Sequence, residues 1–273
     1  MERTTGSLRR DPFPLRGRTA LVTGASRRDG IGHAIACRMA AYGASVYLQH
    51  YAPHDHDQDW GADDVDAVAA SVRTHLDDGA RLAHGHADLA APGAPEQLVA
   101  DATSELGHVD VLVCNQAQSG HDGPLGALTA EMLDRHWAVN TRASILLAQA
   151  FAGAHDGRPG GSVTFLTSGQ GRGPMPGEIA YAAAKAALAG VTETIADQLA
   201  DRGLRVNTVN PGPVDTGYLG DDAWAAMAPM FPFGRFGEPD DPARLIAWLA
   251  TDEARWITGQ VIESEGGFSR SRS

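Results

Sequence analysis

Lysine is almost absent from this chain: of 22 Lys and Arg residues only Lys185 is lysine, and arginine meets every other need for positive charge. A cationic surplus is lacking as well, since 34 Asp and Glu leave a formal net charge of −12. A protein that displaces counterions from nucleic acid needs a basic stripe, so a general nucleic-acid binder is excluded. Cysteine is scarce: Cys37 and Cys114 lie far apart without metal-ligand spacing. That excludes a disulfide scaffold and points to a reducing, cytoplasmic location. No run approaches the ~18 apolar residues of a membrane span. Residues 1–16 carry charges but neither the apolar stretch nor the small-residue cleavage site of a secretory signal, and read as a flexible lead-in. Linkers and internal repeats are missing too, so residues 17–273 are expected to form one domain.

Short continuous apolar runs alternate with helical stretches. Thr19–Thr23, Ser45–Leu48, Val109–Val113, Ser162–Thr167 and Leu204–Val209 do not alternate apolar and polar residues. Continuous runs suit strands covered on both faces, as in a parallel sheet between helices. Ile31–Tyr42, Ala62–Leu76, Pro95–Leu106, Ala130–Ala154 and Ile179–Asp201 are long enough for crossover helices, and a last helix near Pro239–Thr251 and strand near Gln260–Glu263 follow. The expected class is α/β, a doubly wound parallel sheet of about seven strands flanked by helices. One stretch breaks the rhythm: Gly212–Phe236 is rich in Pro, Met and aromatic residues, among them Trp224 and Met230. A long connection of this composition is expected to be a lid over an apolar cavity, at about residues 213–236.

The first strand runs into Thr23-Gly24-Ala25-Ser26-Arg27-Arg28-Asp29-Gly30-Ile31-Gly32 and then a helix. Glycines at such a turn let backbone N–H groups and a helix N-terminus approach a pyrophosphate, the mark of a Rossmann-like fold. At the end of the second strand, where a carboxylate would grip the ribose hydroxyls and repel a 2′-phosphate, stand His50 and Tyr51. With Arg27 and Arg28 nearby, NADP(H) is expected in preference to NAD(H). His54-Asp55-His56-Asp57 reads as a polar loop at the cofactor rim, not a metal cluster, because no helix or strand organises it. Further on, Tyr181 and Lys185 share one helix face at i,i+4. A cation beside a phenol lowers its pKa from ~10 and makes a usable proton donor. Ser168, thirteen residues upstream at a strand's carboxyl end, can hold a substrate carbonyl.

These residues together resemble the short-chain dehydrogenase/reductase family, most closely its ketone-reducing members such as 3-oxoacyl-carrier-protein reductases. The resemblance runs from about Leu15 to Phe268. It matches the glycine turn to Thr23, Gly24, Gly30 and Gly32, with Ser26 and Ile31 inside it. The adenine-contacting Asp falls on Asp88, followed by Leu89, and the catalytic Asn on Asn140. Ser168, Tyr181 and Lys185 match the catalytic Ser and Tyr-x-x-x-Lys; Pro211, Gly212, Val214 and Thr216 belong to the segment at the nicotinamide. By this resemblance Asn140 positions water that reprotonates the site through Lys185, and the last strand packs in a homotetramer or homodimer. Gln170, Met175, Trp224 and Met230 are candidate substrate contacts, with Glu178 beside them.

Three departures stand out. The glycine turn is two residues longer than the family's common Thr-Gly-x-x-x-Gly-x-Gly and resembles that of enoyl-carrier-protein reductases, which however separate Tyr and Lys by six residues rather than three. Cys114-Asn115-Gln116-Ala117 replaces the usual Asn-Asn-Ala-Gly, and Glu265 replaces Asp. The resemblance implies reduction of a ketone, in a 3-oxoacyl thioester or a specialised metabolite, with Tyr181 as general acid. An NAD-dependent alcohol dehydrogenase and a non-catalytic NADP(H) sensor are the alternatives. The expected partner is a small ketone or alcohol, with no metal, nucleic acid or membrane.

Overall fold

A computed structural model describes residues 10–218, 220 and 225–269. Seven parallel strands form one sheet in the order β3-β2-β1-β4-β5-β6-β7. They are β1 (Thr19–Val22), β2 (Ser45–His50), β3 (Leu82–His86), β4 (Val111–Cys114), β5 (Ser162–Leu166), β6 (Arg205–Asn210) and β7 (Val261–Glu263). The β1, β4 and β5 strands are buried along their whole length, which explains their unbroken apolar runs. By contrast β3 is half-buried at the sheet edge, and its sequence Leu-Ala-His-Gly-His carries no apolar run to mark it.

Helices cover both faces. On one, α1 (Ile31–Ala41), α3 (Val65–Arg73) and α8 (Asp240–Leu249) enclose a core that includes Ile35, Met39, Val72 and Ile246. On the other, α4 (Ala94–Leu106), α6 (Ala143–Ala154) and α7 (Ile179–Ala200) pack Leu98, Leu147, Phe151 and Leu188 over Leu112 and Phe165. Leu15 is wholly buried in the first core, its N–H bonded to the Tyr42 carbonyl at 2.9 Å. The folded body therefore starts inside the stretch expected to be a flexible lead-in.

Three local features differ from the expectation. Ala130–Ala154 is not one α-helix: α5 (Ala130–His136) passes through a π-helical segment, Trp137–Arg142, before α6. Such a turn re-aims the side chains it carries, and Asn140 sits within it. Helix α3 begins three residues later than Ala62, where the Asp64 side chain accepts the Asp66 N–H as an N-cap. The polar stretch after β2 is helical, α2 (Ala52–His56), with Pro53 in its first turn. In the long connection before α8, Phe231 stacks on Phe236 and Phe268 with ring centroids 4.4 and 4.9 Å away, a third apolar cluster. Trp224 lies outside the described residues.

Candidate active site

The strand order reverses between β1 and β4. In an open α/β sheet, a crevice opens beyond the carboxyl ends of the strands at such a point. Here it is a cleft of about 310 Å³ lined by Gly24, Ser26, Arg27, Gly30 and Ile31 from the turn, and by Tyr51, Asp88, Leu89, Asn115 and Thr216 around it. Gly24 takes φ +66°, and a Cβ there would lie 2.8 Å from the Gln116 Cα. At Gly32 a Cβ would strike the Gly24 carbonyl and stand 2.6 Å from the Asn115 amide nitrogen. The Asn115 amide itself donates to the Thr23 and Gly24 carbonyls at 3.0 and 2.9 Å, so none of these neighbours is loose. We expect Gly32→Ala to destabilise the fold by about 1–3 kcal/mol through overpacking and to weaken dinucleotide binding, read from thermal melts and a nucleotide fluorescence titration.

Other expected cofactor residues point elsewhere. The His50 ring turns to His84 and His86, at centroid distances of 5.5 and 5.9 Å. Burial, helped by those two rings, pushes its pKa down to about 4. Arg28 is held by Asp63, which accepts its backbone N–H at 2.7 Å and its guanidinium at 3.2 Å. Neither residue lines the cleft. The side chain of Arg27 does, donating to the Thr216 carbonyl at 2.7 Å and lying 5.4 Å over the Trp60 ring. Tyr51 hydrogen-bonds Asp88, and burial raises its phenol.

The Gln116 departure has a structural answer. Its carbonyl oxygen accepts the Thr23 hydroxyl at 2.5 Å, and its nitrogen donates to the Ser144 hydroxyl at 2.9 Å and the Val139 carbonyl at 3.2 Å. The bulkier side chain therefore turns inward and ties β1 and β4 to the start of α6.

A second cavity of about 720 Å³ adjoins the cleft and holds the reactive set. Ser168 lies two residues beyond β5, and Tyr181 is in the first turn of α7. Their side chains hydrogen-bond each other. Thr167 and Thr141 lock α7 in place, their hydroxyls donating to the Lys185 and Ala184 carbonyls at 2.8 Å each. Burial raises the Tyr181 phenol to about 12, outweighing the Ser168 bond that lowers it. Burial likewise lowers the Lys185 ammonium to about 8. Its Nζ donates to the Leu166 carbonyl at 2.9 Å and lies 5.7 Å from the centre of the Tyr181 ring. The i,i+4 spacing does put both groups on one face, but the cation is spent on a carbonyl and the phenol stands above its ordinary value, not below it.

Asn140 is fully buried, and both ends of its amide are engaged by one loop residue. Its oxygen accepts the Gln118 N–H at 2.6 Å and its nitrogen donates to the Gln118 carbonyl at 3.1 Å. It thus clamps the loop after β4. Pro211, Gly212, Val214, Thr216, Met175 and Glu178 line the larger cavity. Gln170 does not: its amide donates to the Thr167 hydroxyl at 3.0 Å. Met230 packs against the Phe231 cluster, while Met227 reaches the cavity.

Two contributors carry no motif. The Asp122 carboxylate accepts the Ala180 and Tyr181 N–H groups at 3.0 and 2.8 Å, and the Gly123 N–H at 2.7 Å. Those three bonds lower its pKa although burial opposes them. A remote carboxylate thus fixes the N-terminus of the helix that carries Tyr181, where it also faces the positive end of the helix dipole. Asp122→Ala is expected to lower kcat by about tenfold or more, because a small misplacement of a reacting group is costly, with KM changed less; steady-state kinetics check this, and Asp122→Asn should keep part of the rate. The other contributor is Trp60, beyond α2, whose indole donates to Asp55 at 3.2 Å. Asp55 also bonds Ser26. Through these contacts the segment after β2 roofs the cleft, and Trp60 lines both cavities.

Residues 24–269 match a family model described as enoyl-(acyl carrier protein) reductase. The uncharacterized oxidoreductase YjdA of Bacillus subtilis is 40% identical over 253 residues, covering 92% of this chain and 96% of that protein. A blue fluorescent protein from a metagenomic library, solved in complex with NADPH, superposes with a TM-score of 0.81 at 34% identity, covering 93% of this chain and 99% of that one. LugOII, described as a promiscuous reductase that catalyzes keto-reduction at C1 during lugdunomycin biosynthesis, gives a TM-score of 0.80 at 36% identity over 93% and 98%.

Proposed function

The chain belongs to the short-chain dehydrogenase/reductase family of oxidoreductases, and we propose that it reduces a ketone to a secondary alcohol with NADPH as the hydride donor. The observation that carries this reading is the hydrogen-bonded Ser168–Tyr181 pair on the wall of a 720 Å³ cavity that also exposes Pro211–Val214 and Lys185. The cleft fits a dinucleotide: the turn leaves no room for a Cβ at Gly24 or Gly32, and the start of α1 offers unpaired N–H groups to a pyrophosphate. Gly24, Ser26, Gly30 and Ile31 would hold it there, with Asp88 and Leu89 near the adenine and Asn115, Pro211, Gly212, Val214 and Thr216 toward the nicotinamide. When bound, the reduced nicotinamide supplies hydride to the carbonyl carbon.

The chain's own residues do the rest. Ser168 and Tyr181 both donate hydrogen bonds to the ketone oxygen, so they meet the charge as it develops. The Tyr181 proton then passes to that oxygen, giving the alcohol and leaving a phenolate. A phenol raised by burial is reluctant to become phenolate, and an ammonium with a pKa near 8 is a ready proton source at neutral pH. Lys185 therefore returns the lost proton and draws a replacement from water. Asn140 acts as a positioning residue through Gln118.

NADPH is preferred over NADH because β2 ends without a carboxylate facing the ribose and Arg27 reaches the cleft. The acid within α2, Asp55, is occupied by Ser26 and Trp60. Pro213, Val214, Thr216, Tyr218 and Met227, all on the cavity wall, belong to the lid expected over the substrate, and the protein works in the cytoplasm as a homodimer or homotetramer. Reduction of a carbon–carbon double bond is the second reading, favoured by the longer glycine turn and by the description of the matching family model. The three-residue separation of Tyr181 and Lys185 weighs against it.

The test is NADPH consumption with a panel of 3-oxoacyl thioesters, cyclic ketones and polyketones, set beside 2-enoyl thioesters and repeated with NADH. Ketone-dependent oxidation, faster with NADPH, is expected. Turnover of enoyl thioesters alone would replace the proposal with the second reading, and tight NADPH binding with no turnover would make the protein a sensor.

A further inference from the structure

At the opposite end of the sheet from the active site, three side chains that the reaction does not use converge. His108 and Asp110 precede β4, and His155 follows α6. One ligand-capable atom from each lies within 4.8 Å of the others, the one such three-residue grouping of His, Cys, Asp or Glu among the described residues. Asp110 and His155 are buried and His108 nearly so. The Nε2 atoms of His108 and His155 are both shut off from water without a hydrogen-bond partner. A buried polar atom left unpaired is costly and calls for an explanation.

We propose that His108, Asp110 and His155 form a structural site for a divalent transition-metal ion, with Zn²⁺ the best match. Imidazole nitrogen and carboxylate oxygen bind zinc at ~2.1 Å, which in a tetrahedron sets neighbouring ligand atoms ~3.4 Å apart. His108 Nε2 and Asp110 Oδ1 stand 3.4 Å apart already. The other Asp110 oxygen accepts the Thr19 N–H at 2.8 Å, an outer bond that holds the carboxylate in place. The three ligand atoms lie within 4.8 Å of one another, so a movement of His155 of up to about 1.4 Å brings the set to the ~3.4 Å spacing of a tetrahedron.

That movement has one identifiable obstacle. The Gly157 N–H now points at His155 Nδ1 from 3.0 Å, which places the ring proton on Nε2. Ligation through Nε2 moves the proton to Nδ1 and requires the Gly157 amide to turn away. Gly157 is a glycine at φ +86° in the loop after α6, where a peptide rotation is inexpensive. Asp156, whose carboxylate is 3.9 Å from His108 Nε2, remains paired with Arg158, so water completes the tetrahedron. The ion would tie the amino end of β4 to the carboxyl end of α6, with no part in hydride transfer.

The full chain, stripped with chelator, is titrated with Co²⁺ and then Zn²⁺. One equivalent of Co²⁺ should develop the visible bands of a tetrahedral ion, Zn²⁺ should bleach them, and Zn²⁺ should raise the melting temperature. X-ray absorption of the zinc form should show two imidazoles and oxygen ligands, a readout independent of any variant. His108→Gln should weaken binding beyond the ~10–100-fold typical of outer-shell changes, while the double variant His54→Gln, His56→Gln in α2 binds as before. The proposal is overturned if the wild type takes up no stoichiometric metal, if absorption shows fewer than two imidazoles, or if the α2 variant is the one that loses binding.

Discussion

Tyr181→Phe should reduce ketone turnover by about 10²–10⁴-fold, the usual contribution of a positioned general acid, while NADPH binding stays nearly intact. The substitution removes one oxygen and keeps the ring, so the packing of α7 and the edge-on contact with the His136 ring, 6.1 Å away, survive. What is lost is the proton that completes the alcohol and the partner of the Ser168 hydroxyl. An orphaned hydroxyl costs about 1 kcal/mol, too little to unfold the chain, so lost activity would report chemistry, not stability. The dinucleotide cleft is built from β1, β4 and the start of α1, away from that oxygen, which is why binding should persist. Steady-state rates and a fluorescence titration separate the two effects. Turnover within tenfold of the wild type would remove Tyr181 from its role.

Lys185→Met should be inactive or nearly so, and should also show an unusual dependence of stability on pH. Met fits the long narrow space of the lysine stem without a charge. In the wild type the ammonium has a pKa near 8, depressed by burial, against ~10.4 in the unfolded chain. Below pH 8 both states carry the proton and the folded state bears the full cost of a buried charge. Between about pH 8 and pH 10 the unfolded state binds more protons, so wild-type stability gains ~1.4 kcal/mol per pH unit from this group. The variant has no such gain. Its stability advantage at pH 7 should therefore shrink as pH rises, by ~2 kcal/mol at pH 10, as measured by urea unfolding of both proteins in parallel. Burial also raises Cys37, to about 11, but both proteins share that thiol and the difference cancels it. A pH-independent difference would mean that Lys185 carries no depressed pKa.

Among the strands legible in the sequence, those buried on both faces show as apolar runs, such as Leu21–Val22 and Val111–Val113. The β3 strand escaped because an edge strand can afford two histidines and a glycine. Tyr181 and Lys185 were legible as a pair because a helix fixes which side chains share a face. The state of their protons was not, since it depends on burial and on the Leu166 carbonyl that the ammonium finds. Asp122 was invisible for a related reason: it meets the start of α7 across 58 residues, and only the folded chain brings the carboxylate to those N–H groups. The roof over the cleft reads as a loop in the sequence because a five-residue helix is too short to show a period.

Trp60, standing in that roof, forms a wall common to both cavities. If the cleft takes the dinucleotide and the larger cavity the ketone, as proposed, a tilt of the indole that suits one alters the space left for the other. Thermodynamic reciprocity then requires that the factor by which cofactor changes ketone affinity equal the factor by which ketone changes cofactor affinity. The contact of Arg27 with the same indole places the turn that would cradle the pyrophosphate within this linkage. Under the proposed function, cofactor choice and substrate choice would therefore not be separable properties, and a change at residue 60 made to widen one should be felt in the other.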